Sequence, residues 1–454
     1  MEGTSEGPYE EMKYSDSQND EQEKYDEFEE SHRSMTTNSK DMSAAHDMEG
    51  EGAEGEGEGE QAERKWFWAF PQIEGVPPSP RGGHSATLIG ASILFFGGHF
   101  YSDKKTGYTY LNDTHVLDLN ASRWIKPKIE GTPPKPRYGH TAVLAGSRIL
   151  IFGGKGVKNK VFRDLHALDP VKMTWYQGPD GAGAPAARFG HTSTLVGGNK
   201  MFVFGGWNKK LYFNDLHILD LELMAWKRPE CSGPEPSPRQ GHCAILIGTN
   251  LIIHGGYRLR EDLLKTAGLA QGNILKNSYL NDIKVLDTEN FVWSRLRISG
   301  TPPEARYGHT LNISGSDIIM FGGWTCNSGD RTRHEGTSEE CDYFMIWNTE
   351  NMCWKQGKSI GTPPTTRYGH SSTAIGPHLL IFGGWEFSKA QNEIIVLREF
   401  NQAQQSQDQK EDFEEGNYEA PGSHNETAKE MSAILEEKKL GPIEISKKFN
   451  ILNC

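Results

Sequence analysis

Nowhere in its 454 residues does the chain carry the run of about 18 apolar residues that a membrane-crossing helix requires. It does not open with the basic-then-apolar stretch of a secretory signal either. The Asn-x-Ser/Thr triplets at Asn112, Asn120, Asn312 and Asn425 are therefore read as chance matches. Cysteine is scarce: the six, at positions 231, 243, 326, 341, 353 and 454, show neither metal-ligand spacing nor an even disulfide framework. Cys326 and Cys341 bracket one insertion, which allows them to approach each other. This usage predicts a reduced, cytoplasmic protein, with the nucleus as the alternative compartment.

Catalytic patterns are missing as well. The stretch "GEGAEG" from Gly50 has the spacing of a dinucleotide loop, but it lies in an acidic low-complexity run rather than between a strand and a helix. At Gly357 the "GKS" resembles the end of a phosphate loop, yet position 352 is Met where that loop needs Gly. No carboxylate pair or nucleophile–base arrangement stands apart from the rest. A noncatalytic protein without cofactor or metal is expected.

Charge is unevenly spread. The net −13 divides into −16 over residues 1–64, +8 over 65–400 and −5 over 401–454. Residues 1–64 are poor in apolar side chains and include "EKYDEFEE" and "GEGAEGEGEGE". Such a segment cannot bury enough surface to offset the entropy of ordering, so a disordered acidic tail is expected. Residues 401–454 read as a polar tail with one short helix over 425–440, capped by Asn425 and stopped at Gly441-Pro442. Ala428, Met431, Ile434 and Leu435 would form its apolar stripe. A body of +8 flanked by acid is a poor match for phosphates, so nucleic acid is not expected as a partner.

What the middle does have is repetition. Arg-x-Gly-His recurs from Arg81, Arg137, Arg188, Arg239, Arg306 and Arg367, with histidines 56, 51, 51, 67 and 61 residues apart. Each copy continues with two apolar stretches, then Gly-Gly at 97–98, 153–154, 205–206, 255–256, 322–323 and 383–384. An acidic residue follows at Asp113, Asp164, Asp215, Asp282, Asp342 or Glu393, and a Trp at 124, 175, 226, 293 or 354. Four short strands per period of about 50 residues is the pattern of a propeller blade. Runs such as "ILFF" and "ILIF" suit strands buried on both faces.

Closure of the ring is also legible. Each Trp precedes the next repeat's Arg by 13 residues, and the sixth copy lacks one. Counting 13 back from Arg81 reaches Trp68, in "RKWFWAF". The expected fold is all-β: a six-bladed propeller over 65–400, whose last blade takes its outer strand from the N-terminal side and so covers an open edge.

These in-register copies of His, Gly-Gly, acid and Trp resemble the kelch-repeat β-propellers. The "PPxxRxGH" lead-in is similar to the host cell factor, cell-end marker and Rab-effector types more than to the ubiquitin-ligase adaptors with BTB and BACK domains. The resemblance implies a protein-interaction scaffold, in membrane traffic, cytoskeletal organisation or transcriptional scaffolding. A substrate receptor of a ubiquitin ligase is the alternative, and a propeller enzyme a further one.

A group that holds a blade is needed in every blade, whereas a group that does chemistry is needed once. The Arg-x-Gly-His units are therefore scaffold, expected to satisfy buried carbonyls between blades. His115, His166 and His217 share one register in three blades and are not expected to converge on a metal. Function is expected where copies differ, on the face that carries the loops entering the first strand and those joining the second to the third. The candidate partner-binding residues there are Tyr138, Phe189, Trp207, Tyr257, Tyr307, Trp324, Tyr368 and Trp385, aromatic anchors of the kind favoured at interfaces. About half of them are expected to pack into the blades instead. Insertions from His99, Tyr257 and Trp324 add Arg258, Arg260, Arg331 and Arg333. Together these predict a docking site for an acidic or phosphorylated peptide, or a carboxylate terminus.

Overall fold

Along a strand, side chains alternate between faces, so a continuous apolar run supplies two different packing partners at once. In the computed structural model, which describes residues 64–103, 107–179, 183–259, 278–326 and 343–400, the second strand of every blade is used this way. Ile93 and Phe95 pack with Ile375, Leu380 and Phe382 on one side. Leu94 and Phe96, between them in sequence, pack with Ile149, Ile151 and Trp175 on the other. Each of the six seams between blades holds such a cluster. The core is thus a ring of sandwich fillings rather than a central mass.

Each blade is an antiparallel meander. The first consists of Ser85–Ile89, Ser92–Asp103, Gly107–Asp118 and Arg123–Ile125. The second, Thr141–Ala145, Arg148–Phe152, Leu165–Asp169 and Thr174–Gln177, repeats it. The third contains Thr192–Val196, Lys200–Phe204, Leu216–Asp220 and Ala225–Lys227. The fourth contains Cys243–Ile247, Asn250–Tyr257, Tyr279–Asp287 and Val292–Arg295. Thr310–Ser314, Asp317–Phe321, Phe344–Asn348 and Cys353–Gln356 make the fifth. In blade 1 the insertion from His99 is no loose loop: its two strands continue as a hairpin past Gly98, with Tyr101 opposite Tyr108.

The sixth blade joins the two ends of the ring. Ser371–Ile375, His378–Phe382 and Ile394–Phe400 are completed by Lys65–Ala69, antiparallel to Ile394–Phe400. Trp68 is 3% exposed in the seam with blade 5 and donates its indole N–H to Ser359 Oγ at 2.9 Å. Arg64, the last residue of the acidic segment in the sequence, belongs to this closure. Its guanidinium bonds Glu399 of blade 6 together with Asp317 (3.2 Å) and the Ser314 carbonyl (2.9 Å) of blade 5. The outer edges are covered in turn. Short segments from the connections, Glu130–Gly131, Ser299–Gly300 and Ser359–Ile360, pair in parallel with the outer strand of the following blade.

Candidate interaction face

The repeated arginines set the loop-bearing face. Arg188 is fully buried. Its Nη1 and Nη2 donate to Asp215 at 2.7 and 3.0 Å, Nη1 also to the Gly205 carbonyl at 2.8 Å, and Nε to the Ala186 carbonyl at 3.0 Å. Arg81 with Asp113, Arg137 with Asp164, Arg239 with Asp282 and Arg367 with Glu393 repeat the pairing. This corrects the expectation of carbonyls between blades: the carbonyls lie in the arginine's own repeat, and the dominant partner is the acidic residue that opens the third strand. Bidentate guanidinium–carboxylate geometry ties the entry of the first strand to the entry of the third.

His115, His166 and His217 turn their Nε2 to Asp113, Asp164 and Asp215 at 2.9, 3.0 and 3.0 Å. Their common register therefore serves three separate carboxylates. Burial opposes ionisation of these aspartates, but the hydrogen bonds from His and Arg outweigh it and hold each carboxyl well below its usual range. Among the described residues no group of three His, Cys, Asp or Glu side chains could hold a metal ion.

The repeat histidines link neighbouring blades instead. His140 Nε2 meets Ser85 Oγ at 2.9 Å, and His191 meets Thr141, His242 meets Thr192, His370 meets Thr310 and His84 meets Ser371 in the same way. Blade 4 departs from this. Cys243 replaces the hydroxyl and gives its thiol to the His309 carbonyl, while His309 Nε2 pairs at 2.9 Å with Nδ1 of His254. His254 stands where the other blades have Phe before Gly-Gly. Burial, reinforced by the adjacent arginines, pushes His140, His242 and His370 down to about 3.

Next to each histidine, the glycine closes a circuit. Gly139 N–H donates to the Gly83 carbonyl, Gly190 to Gly139, Gly241 to Gly190, Gly308 to Gly241, Gly369 to Gly308 and Gly83 to Gly369, all at 2.7–2.9 Å. Six backbone groups from six blades thus form one head-to-tail ring. All six glycines have φ near +60 to +70°, a left-handed conformation that costs other residues energy.

Around this ring sit the residues that vary. The residue after each repeat Arg pairs with the residue after Gly-Gly: Gly82 with His99, Tyr138 with Lys155, Phe189 with Trp207, Gln240 with Tyr257, Tyr307 with Trp324 and Tyr368 with Trp385. Both sets expected from the sequence therefore converge on one face. Their rings touch across blades: Tyr138–Phe189, Tyr257–Tyr307 and Tyr307–Tyr368 each have centroids 5.8 Å apart. His99 stacks on Tyr138 at 3.9 Å and lies 5.0 Å from Trp385. Burial pushes the His99 imidazole down to about 3, partly offset by its bond to the Gly82 carbonyl. The Lys155 ammonium is 5.8 and 5.6 Å from the rings of Tyr138 and Phe189.

The candidates separate by exposure. Phe189, Tyr257 and Trp385 are 5–6% exposed and pack inward. Tyr138, Trp207, Tyr307, Trp324 and Tyr368 are half-buried and present part of their surface. Trp385 lies across Gly82, where a Cβ would come within 2.1 Å of its ring, which explains why blade 1 has glycine there. Arg258 is half-buried, its backbone N–H on the Ser278 carbonyl at 2.9 Å. Arg260, Arg331, Arg333 and Cys341 fall outside the described residues.

Sequence reasoning missed a third set. Tyr110, Tyr212 and Tyr279 each pair with the residue after Gly-Gly, opposite His99, Trp207 and Tyr257. Tyr212 stacks on Trp207 at 5.2 Å and 8°, and Tyr279 lies 5.9 Å from Tyr307. The signal was present: each tyrosine stands three residues before the third-strand aspartate.

The family model of the KLHDC2/KLHL20/DRC7 Kelch-repeats domain matches residues 62–256 and 270–417. Human Host cell factor 2 is 27% identical over 361 residues, covering 72% of this chain and 42% of that protein. Host cell factor of Drosophila melanogaster is 27% identical over 356 residues, 72% of this chain and 22% of its own. Acyl-CoA-binding domain-containing protein 4 of Arabidopsis thaliana is 31% identical over 251 residues, 54% of this chain and 34% of its own. The chain spans less than half the length of these relatives.

Proposed function

Because the chain belongs to the kelch-repeat family described by the KLHDC2/KLHL20/DRC7 domain model, we propose that it is a noncatalytic scaffold binding a partner protein through its loop-bearing face. One observation carries this reading. The residues common to all repeats are consumed by the arginine–acid pairs and the glycine ring, while the residues that differ are gathered around the mouth with part of their aromatic surface exposed. Exposed rings held rigidly by their neighbours lose little entropy on binding, which favours them as anchors. Tyr138, Trp207, Tyr307, Trp324 and Tyr368 are the anchors assigned, with Arg258, Arg260, Arg331 and Arg333 drawing an acidic or phosphorylated peptide. The resemblance to Rab-effector and cell-end marker kelch proteins supports a place in membrane traffic or cytoskeletal organisation. Unbridged Cys231, Cys243 and Cys353 support a cytoplasmic or nuclear location.

Affinity capture with the full chain, set beside the Trp324→Ala/Tyr368→Ala variant, tests the reading. Captured proteins should be lost from the variant at unchanged thermal stability. An identical captured set from both would remove the face from consideration. Recovery of a cullin adaptor through the propeller's other surfaces would favour a ubiquitin-ligase substrate receptor instead.

A further inference from the structure

One position in the repeat is structural in four blades and something else in blade 2. The residue before the third-strand acid is Asn112, Asn214, Asn281 or Asn392, and each side-chain amide donates to a proline carbonyl of the next connection: Pro134, Pro236, Pro303 or Pro78. In blade 2 the same position is Arg163, which is exposed and makes no hydrogen bond or ion pair among the described residues. A bond that the scaffold makes elsewhere has been given up for a solvent-facing guanidinium.

The charge is not isolated. The loops joining the second and third strands of blades 2 and 3 carry Lys158, Lys160 and Lys210, all exposed, and the connection entering blade 2 adds exposed Lys135. That connection abuts the blade 2 loop, where a Cβ on Gly156 would come within 2.5 Å of the Pro136 carbonyl. Phe189 bridges the two loops, with the Lys155 ammonium 5.6 Å from its ring and Trp207 5.4 Å away. Within residues 155–164 and 207–215 the acids are Asp164 and Asp215, both engaged by Arg and His. Each loop also exposes an aliphatic residue, Val157 at 55% and Leu211 at 62%.

We propose that this two-blade surface docks an acidic peptide segment carrying an apolar side chain, its carboxylates meeting Arg163, Lys158, Lys160 and Lys210 and its apolar group meeting Val157 and Leu211. Arginine suits the carboxylates because its planar fork binds them bidentately. A narrow chain fits better than a lipid surface. On the blade 4 side the positive charge ends at exposed Glu235, whereas a bilayer would press against the whole rim. The inference rests on the reading of this face as protein-binding, and it adds an acidic contact on blades 2 and 3 to the one proposed for the blade 4 and 5 insertions.

The test is fluorescence anisotropy of the full-length protein with a synthetic peptide of glutamate pairs separated by single leucine and phenylalanine residues. Arg163→Asn, which installs the residue of the other blades, should weaken binding several-fold while leaving the melting temperature equal or higher. Lys158→Glu/Lys210→Glu should weaken it about tenfold or more, the difference between variant and parent shrinking in high salt as screening removes the charge term. Val157→Ser/Leu211→Ser should weaken it at all salt concentrations. Unchanged affinity in all three variants, with loss in Tyr307→Ala/Tyr368→Ala, would overturn this surface yet keep the face as the binding site. Affinity unchanged in every variant would overturn both readings. Cosedimentation with phosphatidylserine-containing vesicles that is lost in the blade 2 and 3 variants while peptide binding persists would likewise overturn it, in favour of a membrane surface.

Discussion

Trp68 stands directly opposite Leu397 in the closing blade, as Trp124 stands opposite Leu117 and Trp175 opposite Leu168. The closing strand therefore enters the sixth sheet in the register of a strand contributed in sequence. Arg64 extends the closure by one residue through its bonds to Glu399, Asp317 and Ser314.

Truncation should locate this closure. Removing residues 1–63 is expected to leave the melting temperature nearly unchanged. Removing 1–72 takes away Trp66 and Trp68, exposes a sheet edge and opens the seam with blade 5, so severe destabilisation or aggregation is expected. Arg64→Ala should fall between them, at about 1–3 kcal/mol. Equal melting of the two truncations would contradict the strand at Lys65–Ala69.

The arginine–acid pairs should behave as buried ion pairs. Arg188→Ala leaves the Asp215 carboxylate facing a cavity with only His217, and a loss of about 3–5 kcal/mol is expected in chemical denaturation. Asp215→Asn, which keeps some hydrogen bonding, should cost less. Variants as stable as the parent would show that the pair is a bystander.

Blade 4 allows a compensation experiment. Changing His254 alone to the Phe of the other blades leaves His309 Nε2 without its partner, at a cost of about 1–3 kcal/mol. Adding Cys243→Thr supplies the hydroxyl that the other seams use and should recover most of it. A double variant no more stable than His254→Phe alone would deny the exchange of partners.

Acid should weaken the fold earlier than carboxylate titration alone would. His140, His242 and His370 are neutral in the folded state down to about 3, against an ordinary value near 6.5, and burial lowers His84, His191 and His309 in the same direction. Between those limits the unfolded chain binds protons that the folded one refuses, so stability is complete above about pH 6.5 and falls as pH drops toward 3. Each histidine contributes a slope of about 1.4 kcal/mol per pH unit within that window. The depressed aspartates add a further loss below their unfolded value, near pH 4. Urea midpoints measured from pH 7.5 to 4.5 should decline throughout, and a flat profile down to pH 5 would contradict burial of neutral imidazoles.

Six repeats, their strands, the Gly-Gly turns and the closing role of Trp68 could be read from the chain because each is set by local pattern: a period, an apolar alternation, a fixed offset of 13 residues. The loop-bearing face could be read for the same reason, since a meander returns alternate connections to one side. Which aromatic residues remain exposed could not. Phe189 and Tyr138 occupy the same repeat position, yet Phe189 is covered by Trp207 while Tyr138 is half-buried, and that difference depends on the residue supplied by another strand.

The distinction runs through the whole molecule. The amino-acid order by itself determined how many blades there are and which residue types hold them, because those requirements recur in every copy and repetition exposes them. Only the tertiary structure decided that the buried guanidiniums of Arg81, Arg137, Arg188, Arg239 and Arg367 each belong to a carboxylate 26 to 43 residues further on, that six glycines bond head to tail, and that Arg163 lacks the bond its counterparts make. Those relationships depend on distances between chain segments brought together by the ring, and a linear pattern does not encode a distance until the ring has closed.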